Sequence, residues 1–199
     1  MSYTNPLHSP VPASKQSTYN SLSVSITSSS SSSSPHLNYR RRVVPYTPSS
    51  KFHSSSRPIG PITFDCQGYP GAGMPMREIY ARGEIALAQM MDRGAERVMV
   101  FEQNGLRRIH LVVRWPGYEH LECAFPIDVV LSSGHITRVQ LAAAVTNTLV
   151  KFIEHAQNEG SSSPEWRFGS RGIQLTQLSL LSLAHLSEDA WRAEIVVDF

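Results

Sequence analysis

From Leu106 to Trp115 the chain alternates. Ile109, Leu111, Val113 and Trp115 fall on one side of an extended backbone, and Arg108, His110, Val112 and Arg114 on the other. Pro116-Gly117 suits the centre of a type II turn, and Glu119–Leu131 is expected to return as a strand. Upstream, Arg97–Glu102 reads as a strand joined through Asn104-Gly105, a pair that accepts the positive φ angles of a hairpin turn. Helical spacing appears twice. After Pro75, the residues Met76, Ile79, Tyr80, Gly83, Leu87 and Met90 share a stripe, in which Gly83 costs about 1 kcal/mol against alanine. Thr137-Arg138-Val139-Gln140 is a capping box, and behind it Leu141, Val145, Leu149, Phe152 and Ala156 form a second stripe. Pro58–Asp65 predicts a first strand with Ile62 and Phe64 on one face. Ile173–Leu186 and Trp191–Val197 predict a last hairpin turned by Ser187-Glu188-Asp189. The order is β-α-β-β-β-α-β-β: an α+β fold with two helices packed on an antiparallel or mixed sheet.

Composition divides the 199 residues. Residues 1–57 hold 19 serines and no acid; six basic residues give them +6, while residues 58–199 carry the other 12 bases and all 16 acids, or −4. So few large apolar residues cannot offset a backbone ordering cost of about 1–2 kcal/mol per residue, which predicts a disordered, basic, serine-rich tail over 1–57 and one compact domain over 58–199. The N-terminus does not read as a secretory leader, and no run of ~18 apolar residues suggests a membrane span. With only Cys66 and Cys123, no disulfide framework is expected, and an intracellular protein, cytoplasmic or nuclear, follows. Arg40-Arg41-Arg42 is a localisation patch or a solvated charge run. Without interleaved aromatics or a folded basic face it argues against nucleic acid as the partner.

The candidate chemistry gathers at the Trp-Pro-Gly-Tyr corner, where Trp115, Tyr118, His120 and Cys123 lie close in sequence. On a regular strand His120 and Cys123 point apart, so they cannot share a zinc ion that needs four ligands. Neither a metal nor a cofactor is expected, and Cys123 is assigned to the core beside Leu121 and Phe125. Trp115 and Tyr118 either staple the hairpin or form an exposed anchor for a partner. Burial is expected for Trp115; partial exposure and a contact role are expected for Tyr118, with His120 beside it. An enzyme needs a nucleophile, a base and an orienting acid that converge. His110, His120, His135, His155 and His185 are spread over several elements, with Asp128 in reach of His110 or His120 across neighbouring strands. Phosphate-binding, dinucleotide-binding and Gly-x-Ser-x-Gly motifs are absent. The residues favour a non-catalytic domain that binds another protein and carries a regulatory or targeting tail. The alternative is a small hydrolase or transferase using the histidines near the central strands.

Arg108-Ile109-His110-Leu111-Val112-Val113-Arg114-Trp115-Pro116-Gly117-Tyr118, followed by Ile136-Thr137-Arg138-Val139-Gln140-Leu141, resembles a pattern in small uncharacterised proteins of mushroom-forming fungi. Those proteins join a Ser/Pro-rich tail to a C-terminal domain carrying the same corner. The resemblance implies a domain over residues 58–199 and brings no activity, cofactor or catalytic residue with it.

Overall fold

The computed structural model describes residues 41–48 and 59–199. In chain order the elements are β1 (Arg41–Val43), β2 (Ile62–Thr63), β3 (Met74–Pro75), α1 (Met76–Ala81), α2 (Glu84–Met90), α3 (Met99–Gln103), β4 (Arg108–Val113), β5 (Cys123–Asp128), β6 (Val130–Leu131), β7 (Gly134–His135), α4 (Arg138–Ala156), β8 (Leu178–Ser187) and β9 (Ala190–Asp198). The main sheet runs β2-β8-β9-β4-β5, with β3 also on β8 and β1 on β9; β6 and β7 pair separately. β4 and β9 are parallel, at His110↔Ala190 and Leu111↔Trp191, and the other pairs are antiparallel. The fold is α+β with a mixed sheet. Among the described residues no helix is long and apolar enough to cross a membrane.

The two strongest sequence signals form the centre. α4 starts on the capping box: Thr137 Oγ1 accepts from the Gln140 N–H at 3.3 Å, and Gln140 Oε1 accepts from the Thr137 N–H at 3.0 Å. Leu141, Val145, Leu149, Phe152 and Ala156 are all buried. They join Ile109, Leu111 and Val113 from β4, Trp115 just beyond it, and Trp191, Ile195 and Val197 from β9 in one core. Each such large side chain contributes about 1.5–3 kcal/mol by leaving water. The β8–β9 hairpin turns at Glu188-Asp189, with Glu188 at φ 44°.

Four expectations change. The first helix is two, because Arg82 and Gly83 are extended (ψ 151° and 158°) between α1 and α2. Met76, Ile79 and Leu87 stay buried on either side of this break, but Tyr80, expected on the same apolar stripe, is 54% exposed. Arg97–Glu102 is not a strand but leads into α3, and Asn104-Gly105 ends that helix. The Leu106 N–H donates to Phe101 O at 2.8 Å and the Gly105 N–H to Glu102 O at 2.9 Å, with Gly105 at φ 66°, the double bond of a Schellman stop. The glycine supplies its positive φ to a helix end instead of a hairpin. Glu119–Leu131 is broken as well: 119–121 is a 3-10 turn, β5 begins at Cys123, and Val130 starts the small β6–β7 pair. Finally, the expected tail contains a strand. Arg41, Arg42 and Val43 pair with Asp198, Val197 and Val196, so the folded body includes part of the segment before residue 58. The rest of that tail, residues 1–40 and 49–57, lies outside the described residues.

Thr137→Ala removes the acceptor that satisfies the first turn of α4. Equilibrium denaturation should show a loss of about 0.5–2 kcal/mol with an unchanged slope.

Candidate functional site

The Trp-Pro-Gly-Tyr corner is buried. Trp115 is 2% exposed and Tyr118 0%, so Tyr118 presents no side-chain surface to a partner and the expectation of a contact role through exposure is corrected. His120 is exposed on the 3-10 turn, its ring 6.3 Å from that of Tyr118. What the corner does is hold a second loop. The Trp115 indole N–H donates to the Trp166 carbonyl at 2.8 Å, and the Tyr118 hydroxyl accepts from the Phe168 N–H at 3.2 Å. The Phe168 ring lies 4.5 Å from Trp115 and 5.6 Å from Tyr118. Gly117, at φ 80°, accepts from the Ser162 N–H at 3.0 Å, and a Cβ there would lie 2.5 Å from Ser161 Oγ. Glu119 closes the turn by accepting from the Gly117 N–H at 3.0 Å. Its carboxyl is held below the usual range, chiefly by its own backbone N–H and then by that of Gly117.

The loop held in this way faces β1. Arg42 Nη1 lies 3.2 Å from Glu165 Oε2, while the other oxygen of Glu165 accepts from the Trp166 indole N–H at 3.1 Å. The Arg42 guanidinium sits 5.1 Å from the Trp166 ring centroid and 5.7 Å from that of Phe199. Two rings and a carboxylate therefore surround one cation. Arg41 pairs with Asp198 at 3.7 Å and donates to the Ala72 carbonyl. The Val44 N–H continues the ladder to Ile195 O at 2.8 Å, and Arg192 lies 4.5 Å over the ring of Tyr46. Val44, Pro45 and Tyr46 cover a cavity of about 30 Å³ where β4 and β9 diverge, lined also by Val113, Arg114 and Leu149. Arg114 is tied to Glu122 at 2.8 Å.

The histidines do not converge. His110 meets Asp189, not Asp128, at 2.8 Å, with both side chains over 40% exposed (41% and 45%). Asp128 is opposite Arg108 and bonds it at 2.6 Å, because the β4–β5 register sets His110 against Pro126. That bond, with the charge of Arg108, holds the Asp128 carboxyl below its usual range. His185 bonds the Glu188 carbonyl at 2.9 Å and packs 4.9 Å from the Trp191 ring. His135 is 3.8 Å from Glu102, and His155 is exposed on α4. An exposed His–Asp contact is worth about 0–1 kcal/mol and orients nothing by itself. Cys123 shares its face with Phe125 and Ile127 and is half-buried, against the core edge. Burial pushes both thiols up, helped at Cys66 by Asp65 and Glu78 and at Cys123 by Glu122, which keeps them protonated and poorly nucleophilic. Among the described residues no group of three or more His, Cys, Asp or Glu side chains is arranged to hold a metal ion. No family model matches the chain, and no curated protein or solved structure matches it.

Sequence reasoning singled out Arg41 and Arg42 for their charge and missed their partners, Glu165, Trp166, Asp198 and Phe199. The signal was there: Arg-Arg-Val-Val precedes a proline, a β-prone edge strand with a stop, and the acids that complement it lie over 120 residues away.

Trp115→Phe keeps an aromatic ring but deletes the N–H and part of the indole, leaving the Trp166 carbonyl buried without its donor. Denaturation should register a loss of about 1–3 kcal/mol, and hydrogen exchange should rise first in residues 161–169.

Proposed function

We propose that this chain is a non-catalytic, intracellular protein-interaction domain whose β9 flank accepts an extended peptide strand. The observation that supports this most directly is β1. A segment with every side chain exposed lies on β9 in register, far in sequence from the body it joins. Strand addition of this kind uses main-chain bonds for affinity and side-chain pockets for choice. Here both are present, the ladder to Val196–Asp198 and the contacts of Arg42 and Tyr46. The N-terminal segment then regulates the flank by occupying it. The competing reading, a small hydrolase or transferase, would rest on the His110–Asp189 pair, which water surrounds.

Reversing two charges tests the reading in the full chain. With Arg41→Glu and Arg42→Glu, like charges meet Asp198 and Glu165, and β1 should leave β9 while the melting temperature falls only slightly. A displayed library of extended peptides should then yield binders that wild type rejects. An unoccupied flank that selects no peptide would end the proposal, and loss of a measurable hydrolytic turnover on His110→Ala, with the fold intact, would replace it.

A further inference from the structure

The interaction-domain reading leaves open what kind of strand the flank takes. We infer that Glu165, Trp166 and Phe199 form an arginine-reading site, and that its occupant in trans is an extended segment of another protein with an arginine and, four residues later, an aromatic. This deepens the proposed function and rests on it.

The own-chain segment shows the chemistry. Arg42 and Tyr46 are four residues apart, and each meets a different recognition group: Arg42 the ring pair and Glu165, Tyr46 the guanidinium of Arg192. The strand between them supplies the Val44 N–H to Ile195 O. The site is built before the peptide arrives. Trp166 is fixed from below by the Trp115 indole bond to its carbonyl, and from the side by Phe199, 6.0 Å away and edge-on. Its own indole N–H turns the Glu165 carboxylate, leaving one oxygen free for a guanidinium.

The geometry favours arginine over lysine. A planar guanidinium can lie against a ring and donate to a carboxylate at once, whereas a compact, strongly hydrated ammonium does one of these well and the other poorly. Charge complementarity points the same way. Asp198 and Glu165 flank the position, and Arg41 as well as Arg42 sits against them.

The own-chain occupant is suited to displacement. Its Arg42 side chain is 48% exposed and Glu165 59% exposed, so their ion pair is screened and weak. β1 has only three residues, and Val43 between its contacts is 59% exposed. A partner strand with the same two anchors and a longer ladder would compete successfully.

The test uses the full chain carrying Arg41→Glu and Arg42→Glu as host, with a labelled peptide of residues 40–48 as probe. The host should bind the peptide about tenfold more tightly than wild type, whose own strand blocks the flank. Replacing the arginine that corresponds to Arg42 by glutamine should cost about tenfold, and by lysine several-fold, within the range of one cation–π contact plus one ion pair. Glu165→Gln in the host should narrow the difference between arginine and glutamine peptides to the share that the two rings supply, while leaving the melting temperature unchanged. Peptides selected from the library should carry an arginine with an aromatic four residues on. Selection of peptides without arginine enrichment, or equal binding of the arginine and glutamine probes, overturns the arginine site while the interaction domain stands. Failure of the host to bind any peptide overturns both. If wild type instead forms concentration-dependent dimers that Glu165→Gln dissolves, the occupant is a second copy of this chain and the foreign partner is excluded.

Discussion

One hydrogen bond organises the surface of this domain: the Trp115 indole N–H to the Trp166 carbonyl, 2.8 Å long and out of water. Trp115 lies just past the end of β4, and Trp166 belongs to a loop between α4 and β8 with little secondary structure of its own. A loop of that kind is held by specific side chains or not at all. Here Trp115 and Tyr118 supply two bonds and three ring contacts, and Gly117 lets the backbone approach Ser161 and Ser163 closer than any Cβ would allow. Each residue of the corner has a separate physical task. Together they place Glu165 and Trp166 at the rim of the sheet.

β4 leaves β9 ahead of this corner: their parallel pairing stops after Leu111↔Trp191, while β4 runs on beside β5 to Val113. β9 continues to Asp198 with backbone groups on that side needing partners, and an uncovered strand edge invites pairing with any extended chain. β1 covers it in this chain. The departure of β4 therefore explains both why a strand can add to β9 and why the loop at its rim chooses which one.

Long, periodic elements were legible in the sequence. The stripe of α4, the alternation of β4 and the β8–β9 hairpin carry signals that no neighbour needs to complete. The errors came where one local signal serves two structures. Asn104-Gly105 offers a positive φ to a hairpin or to a Schellman stop, and only the burial of Phe101 decides between them. At Arg82-Gly83 the apolar spacing continued across a break, because α1 and α2 each present a buried face from a different axis. Tyr118 reads as a loop tip from its turn, yet its burial is decided by Phe168, fifty residues on in the chain. The candidate site was the least legible part, since its two halves are both unremarkable alone: three arginines in a serine-rich tail, and a Glu-Trp pair in a loop.

Charge ties these halves together. The first 57 residues carry +6 and the remainder −4, so the tail is attracted to the body before any contact forms. At physiological salt that attraction decays over about 8 Å, which makes it a local bias and not a lock. Selection within the bias falls to groups in contact. Arg41 and Arg42 find carboxylates, yet only Arg42 also finds two rings, and a cation in close contact with a ring is screened less by salt than an exposed ion pair. Rising ionic strength should therefore loosen the approach of the tail more than it blurs the distinction between arginine and an uncharged side chain at the position of Arg42. A basic tail gives this domain a nearby occupant, and the aromatic pair gives the flank its preference.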